Sequence, residues 1–303
     1  MKVVVDCDPG QDDAVALAVA AHRCEVVGVV SVAGNVGLPH TTTNALGLAQ
    51  LLALDAPVHA GASGPLVGPT HDAAMVHGES GLAGATLPPI TRSVASEEGA
   101  AFLLEASLEH DDLWVVAVGP LTNVATALQR DPGFAERITG ISIMGGGTIG
   151  NSTAAAEFNV YADPEAAEIV LESGARIVMC GLDLTRQLIV TQPMVDEIAA
   201  LPNVFGPFSA GFLQAYLDRV RDLSGGSGEA ALHDPCAVLV LTHPELFTSR
   251  PRRVRVECDG RWTRGMTLVD QRPWASGGNV EWCETIDAPA ATRLIIDSIA
   301  AAP

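Results

Sequence analysis

Lysine is all but missing from this chain: Lys2 is the only one, and the other strongly basic residues are all arginine. No catalytic lysine is therefore available in the body of the protein. Positive charge is scarce altogether, with 17 Lys and Arg against 36 Asp and Glu among 303 residues, for a formal net charge of −19. That balance removes the basic face that nucleic acid or an anionic membrane would need, so neither is expected as a partner. No apolar run approaches the ~18 residues of a membrane span. The N-terminus enters strand-like sequence at once, without the charged region, apolar stretch and cleavage site of a signal peptide, so a cytoplasmic location is expected. Paired cysteines are lacking too. Cys7, Cys24, Cys180, Cys236, Cys258 and Cys283 lie far apart with no Cys-x-x-Cys pair, several in apolar segments, which favours buried free thiols over disulfides or zinc.

What is present suits a large buried core: 48% of the residues are hydrophobic and 17% charged. From the start to about Met179, short apolar strands alternate with amphipathic helices, the pattern of βαβ units around a parallel sheet. The candidate strands are Val3 to Asp6, Val26 to Val32, Leu113 to Val118, Ile138 to Met144 and Arg176 to Cys180. The candidate helices are Asp13 to Ala21, Thr41 to Leu54, Glu97 to Glu109, Asn123 to Gln129 and Pro164 to Glu172. Gly61 to Arg92 has no periodicity and is rich in Gly, Pro and His, as ordered loops at binding sites are. Helical patterns return over Phe205 to Leu223 and Asp234 to Leu241, separated by the flexible Ser224-Gly225-Gly226-Ser227-Gly228. Arg253 to Glu257, Thr263 to Leu268 and Val280 to Thr285 then read as an antiparallel meander, followed by a helix from Ala288 to Ala300. The expected fold is a single α/β domain over 1–303, with a mostly parallel, Rossmann-like central sheet, flanking helices and a smaller C-terminal helical and antiparallel part. No linker-like break in composition divides it.

Four aspartates, Asp6, Asp8, Asp12 and Asp13, fall within the first thirteen residues, directly after an apolar strand. Carboxylates crowded at a strand end raise one another's pKa unless a cation or donor groups compensate, and hard divalent cations prefer oxygen ligands. Asp12 or Asp13 could simply cap the following helix, where the dipole favours a carboxylate, but that accounts for only one or two of the four. Pro9 and Gly10 force a tight turn that brings Asp8 together with Asp12 and Asp13 at the sheet's carboxyl edge, where open α/β sheets bind ligands. A Ca²⁺ or Mg²⁺ site is the first expectation.

Later strands are each followed by a loop with polar groups that a plain turn does not need: Gly34-Asn35-Val36, Val118-Gly119-Pro120-Leu121-Thr122-Asn123, and Met144-Gly145-Gly146-Gly147 with Asn151, Glu157 and Asn159 beyond it. His233-Asp234-Pro235 opens a late helix. Singly these are weak signals. Asn35 suits a turn, Thr122 and Asp234 suit caps, Met144 suits a core, and a lone histidine such as His233 is commonly a satisfied imidazole.

Together the segments resemble the nucleoside hydrolases of the inosine-uridine preferring type, which cleave the N-glycosidic bond of ribonucleosides. The resemblance rests on Asp6-Cys7-Asp8-Pro9-Gly10-Gln11-Asp12-Asp13, Gly34-Asn35-Val36, His77-Gly78-Glu79-Ser80-Gly81-Leu82, Gly119-Pro120-Leu121-Thr122-Asn123, Met144-Gly145-Gly146, Glu157-Phe158-Asn159 and His233-Asp234-Pro235, in family order across essentially the whole chain. It implies one Ca²⁺ held by Asp8, Asp13, the Val118 carbonyl and Asp234, with Asp8 as the base that takes a proton from water. It further implies that Asp12, Asn35 and Asn159 bind the ribose diol, that Asn151 and Glu157 bind the 5′-hydroxyl, and that Met144 and Phe158 face the substrate. His233 would protonate the leaving base or a nearby water, and His77 would lie close to the base. A homo-oligomer, dimer or tetramer, is implied as well.

One departure concerns the base. Family members place aromatics just before the His-Asp-Pro motif, whereas Asp218 to Ala231 contains none and the nearest is Tyr216. Arg219, Arg221 or the Gly-Ser segment could reach the base instead, or Phe158 and His77 could do more. Stacking is worth roughly 1–3 kcal/mol per base, so its loss would alter base preference before it abolished hydrolysis. Other readings stay open at this point. Asp6-x-Asp8 after a strand is shared with haloacid-dehalogenase phosphatases, but those need a downstream lysine that is absent here. A catalytically idle ribose- or calcium-binding protein would not need a complete base, acid and ligand set. Hydrolysis of a modified nucleoside or a C-glycoside would use the same ribose site, and fold cannot separate it.

Overall fold

The computed structural model describes residues 1–226 and 228–303; Ser227, within the segment read as flexible, lies outside the described residues. The strands are β1 (Lys2–Cys7), β2 (Glu25–Ser31), β3 (Val58–Ala60), β4 (Leu113–Ala117), β5 (Gly140–Met144), β6 (Ile177–Cys180), β7 (Phe247–Arg252), β8 (Val254–Val256), β9 (Thr267–Val269) and β10 (Val280–Ile286). One sheet runs β3-β2-β1-β4-β5-β6-β10-β7, and β8 pairs with β9 apart from it. Every neighbouring pair in the large sheet is parallel except β10 with β7.

Side-chain alternation along β1 shows why helices cover both faces. Val3, Val5 and Cys7 join a core built with the helices Gln11–Arg23, Leu38–Leu51, Phe205–Leu223, Pro235–Thr242 and Ala288–Ala300. Val4, pointing the other way, joins the helices Gly99–Glu109, Thr122–Arg130 and Pro164–Leu171. Val3 to Val5 are apolar whichever face they point to because neither face meets water; Asp6, at the carboxyl end, is buried and accepts from Asn123 Nδ2 at 2.9 Å. Each buried valine of β1 contributes roughly 1.5–3 kcal/mol of transfer free energy. The helix Gln11–Arg23 is likewise buried on all sides from Gln11 to Ala20, and its alanines allow that close packing.

From β1 the chain steps outward to β2 and β3, then returns through β4 to β5 and β6 on the other side. The order therefore reverses between β1 and β4, and the crevice at their carboxyl ends is the natural ligand site of such a sheet. Asp8 follows one of these strands and Val118 the other.

The expected meander over 253–257, 263–268 and 280–285 is corrected. β10 joins the main sheet parallel to β6, and its antiparallel partner is β7, a segment of arginines and threonine that did not read as a strand. β7 is an exposed edge, where Pro251 forfeits no ladder bond and no apolar alternation is required. Thr263 to Gly265 is turn, with Gly265 at φ +78°, Met266 bridges to Ala156, and Thr267–Val269 pairs antiparallel with Val254–Val256, the one part of the meander that forms as expected. The strand expected at 138–144 starts at Gly140, and the three-residue β3 and the helix Gln192–Ala199 were not anticipated. Residues 61–92 are irregular apart from one helical turn, Ala74–His77. Among the described residues no helix is long and apolar enough to cross a membrane. All six cysteines are free; Cys7, Cys180, Cys236 and Cys283 are buried, and Cys24 and Cys258 half-buried.

Candidate active site

The turn after β1 is tight because Gly10 is the residue that caps the helix and Gln11 its first position. Asp13, in that first turn, reaches back: its Oδ1 accepts the Asp8 N–H at 3.1 Å, and its Oδ2 accepts the Gly10 N–H at 2.9 Å and the Asn35 side-chain amide at 3.0 Å. Asp13 therefore does cap the helix, as the simpler reading held. Asp8 does not. Its Oδ2 accepts the Asn35 N–H at 2.7 Å, while its Oδ1 is buried with no partner.

Two glycines explain how a carboxylate fits there. A Cβ on Gly34, in the turn after β2, would lie 2.0 Å from Asp8 Oδ2, and one on Gly119, after β4, would lie 2.7 Å from Asp8 Oδ1. Asp234 occupies the cap position of the helix Pro235–Thr242 but has helical dihedrals and makes no capping bond. Its carboxylate instead comes within 4.8 Å of those of Asp12 and Asp13.

Burial, and next the charges of one another, push these carboxyls upward: Asp12 to about 7, and Asp8 and Asp234 well above the usual carboxylate range. Asp13 is raised by burial, although its hydrogen bonds oppose the shift. A buried acidic nest with an unpartnered oxygen is the donor set of a hard divalent cation. The Val118 carbonyl lies at the same crevice and accepts Asn159 Nδ2 at 2.8 Å, which leaves it a second lone pair.

The opposite wall comes from the chain after β5. Glu157 caps the short helix Phe158–Ala162: its Oε1 accepts the Asn159 N–H at 2.9 Å, and its Oε2 accepts those of Gly146 at 2.8 Å and Val160 at 3.2 Å. Burial raises its pKa and these bonds oppose the rise. Exposed Asn151 accepts the Phe158 N–H at 2.9 Å. Half-buried His233 is braced through Nδ1 by the Thr185 hydroxyl at 2.7 Å, and burial, with Arg186 adding to it, lowers its pKa to about 4. His77 is buried, parallel to Tyr216 at a centroid distance of 6.2 Å, and is pushed to about 3, chiefly by burial.

One pocket is lined by Asp12, Asn35, His77, Val118, Met144, Asn151, Glu157, Phe158, Asn159, His233 and Asp234. Asp8 and Asp13, the two remaining residues named from sequence, are buried behind it and bonded to Asn35. The profile of the inosine-uridine preferring nucleoside hydrolase family matches residues 3–293. The chain belongs to this family.

It is thus a glycosidase acting on N-glycosyl compounds. It is 42% identical over 277 residues to the pyrimidine-specific ribonucleoside hydrolase RihA of Salmonella typhimurium, covering 89% of this chain and 88% of that one. Over the full length of both proteins it is 38% identical to an uncharacterized protein of Schizosaccharomyces pombe. Among solved structures, the purine-preferring ribonucleoside hydrolase from Gardnerella vaginalis superposes with a TM-score of 0.93 at 30% identity, covering 99% of this chain and 98% of that one. The plant nucleoside hydrolase PpNRh1 gives 0.90 at 32%, covering 99% of each.

This nucleoside hydrolase also lines its pocket with residues that sequence reasoning did not place there: Asp72, Ala73, Met75, Val76, Ser152 and Tyr216. Tyr216 comes from the helix Phe205–Leu223, its hydroxyl donating to the Ala231 carbonyl at 3.0 Å, and it supplies an aromatic from just before the segment that lacks one. Arg219 and Arg221 do not line the pocket. Arg219, one helical turn beyond Tyr216, donates from Nε to the Met75 carbonyl at 2.6 Å and so braces the turn that carries Met75, Val76 and His77.

Proposed function

We propose that this nucleoside hydrolase cleaves the N-glycosidic bond of ribonucleosides in a Ca²⁺-dependent reaction, with pyrimidine nucleosides as the expected substrates. The observation that carries the proposal is Asp8 Oδ1, a buried carboxylate oxygen without a partner, beside the nest of Asp12, Asp13 and Asp234. Asp8, Asp13, Asp234 and the Val118 carbonyl would hold the ion. When bound, a hard dication supplies charge that offsets the carboxylates and acidifies water.

Asp8 then takes the proton of the attacking water. Its Oδ2 is pinned by Asn35, so Oδ1 keeps one orientation, and burial gives it a proton affinity well above that of an exposed carboxylate. Departure of the base leaves an oxocarbenium-like ribosyl centre, which the acidic wall favours electrostatically. Asp12, Asn35 and Asn159 orient the ribose diol, and Asn151 with Glu157 takes the 5′-hydroxyl. His233, anchored by Thr185, assists the departing base with its other ring nitrogen. His77, Tyr216 and Phe158 face the base, and the RihA relatives, named as pyrimidine-specific, favour uracil or cytosine there.

The test is ribose release from uridine, cytidine, inosine, adenosine, guanosine and p-nitrophenyl riboside, with and without a strong calcium chelator. Turnover of uridine or cytidine that the chelator abolishes supports the proposal. Turnover indifferent to the chelator refutes the metal, and no release from any of them refutes the substrate class.

A further inference from the structure

Behind His77 lies Gln11, fully buried at the first position of the helix Gln11–Arg23. Its amide meets His77 twice: Nε2 donates to the His77 carbonyl at 3.3 Å, and Oε1 lies 2.5 Å from the ring Nδ1. A backbone carbonyl only accepts, so the NH₂ of Gln11 must face it and Oε1 must face the ring. An amide oxygen also only accepts, so Nδ1 carries the ring proton. In an imidazole that burial keeps neutral, Nε2 is then a bare lone pair.

Packing on the ring restricts its movement away from this arrangement. A Cβ on Gly10 would lie 2.5 Å from His77 Nδ1, so the ring rests directly on the Gly10 backbone, and Tyr216 lies parallel to it. The ring lines the pocket, so Nε2, the nitrogen that Gln11 does not engage, is the one left for a ligand.

We propose that Gln11 is a positioning residue that locks His77 as its Nδ1–H tautomer, so that Nε2 presents an acceptor to the base and selects bases that offer an N–H there. The proposal deepens the nucleoside reading of the pocket and rests on it. On a pyrimidine the matching donors are the N3–H of uracil or the exocyclic amine of cytosine. Locked this way, His77 has no proton to give on its pocket side, and assistance to the leaving base falls to His233.

The full-length enzyme labelled with ¹⁵N-histidine reports, in long-range ¹H–¹⁵N spectra, which nitrogen of His77 is protonated, and it does so without turnover. The expected result is Nδ1–H in the wild type and loss of that single tautomer in Gln11→Met and Gln11→Leu. In kinetics, uridine should exceed 3-methyluridine, which cannot donate from N3, by roughly tenfold or more in kcat/KM, and the ratio should shrink in Gln11→Met. Nε2–H in the wild type overturns the proposal, as does a wild type that treats the two nucleosides alike or a folded variant whose ratio is unchanged. Should both variants fail to fold, the wild-type spectrum and ratio still decide. Hydrolysis of neither nucleoside, with the expected tautomer present, would refute the nucleoside reading rather than the lock.

Discussion

Gly34→Ala should disable the site without touching a functional side chain. Gly34 is buried and is not among the glycines with positive φ, so its backbone accepts alanine and the only obstacle is space. The added methyl would sit 2.0 Å from Asp8 Oδ2, about 1.4 Å short of the 3.4 Å at which ordinary contact begins. Asp8 cannot retreat freely, because a second glycine, Gly119, packs against its other oxygen. The Asn35 N–H bond at 2.7 Å must then lengthen or break, and Asp8 shifts by about an ångström.

Overpacking of this kind costs roughly 1–3 kcal/mol of stability, which a protein of this size survives. Misplacing a catalytic group by about 1 Å costs on the order of 10²-fold in rate. The expected outcome is a folded protein with kcat/KM on uridine reduced about 100-fold or more and a diminished rise in melting temperature on adding Ca²⁺. Gly37→Ala is the comparator: it is three residues along the same loop, with φ −61° and its nearest prospective neighbour, Pro39 Cδ, at 3.9 Å. It should behave as wild type. If Gly34→Ala matches Gly37→Ala in both turnover and Ca²⁺-dependent stabilisation, the view that Asp8 is held in a glycine-walled slot at the reacting centre is refuted.

Asp8→Asn should lower kcat by at least ~10²-fold while raising the melting temperature in chelator, since it removes one of several buried like charges; a variant less stable than wild type in chelator would contradict the repulsion argument. The pH dependence follows from the same carboxyls. Asp12, with a folded pKa of about 7 against an unfolded value near 4, binds its proton more tightly in the fold, so metal-free stability is greatest below about pH 4 for this group and is lost as pH rises towards about 7. Melting in chelator should therefore fall between about pH 5 and 8, and Ca²⁺ should restore more at the upper end, which calorimetry reads directly. His233→Ala should cost ~10²-fold or more on uridine yet little on p-nitrophenyl riboside, whose leaving group needs no assistance. Equal losses on both would remove His233 from that role.

The sheet was legible where burial on both faces made the strands continuous apolar runs, as in Val3 to Asp6 and Leu113 to Val118. It was illegible where a strand's place is set by its neighbours. β7 carries arginines and Pro251 because it is an edge, and nothing in its own sequence announces that β10 waits to pair with it. The irregular stretch between Gly61 and Arg92 read correctly as a loop, but its one helical turn, Ala74–His77, is too short to leave a periodic trace.

The two sides of the pocket were unequally visible for a physical reason. Four aspartates within thirteen residues beside a buried strand are more than the capping by Asp13 explains, each raises the cost of ionising the others, and such a concentration of unfavourable charge is readable in a single sequence. The base side carries no comparable cost. Met75, Val76 and Tyr216 are ordinary apolar or aromatic residues in a loop and a helix, and only the tertiary fold, with Arg219 holding the loop against the helix, aims them at one cavity. Gln11 is a sharper case. It stands inside the most conspicuous motif of the chain, yet its contact is with His77, sixty-six residues away, through two hydrogen bonds that no local pattern encodes. The aspartate cluster of the proposed site thus announces itself locally in charge, whereas its remaining residues and the side assigned to the base depend on contacts between distant segments and have to be read from the assembled pocket.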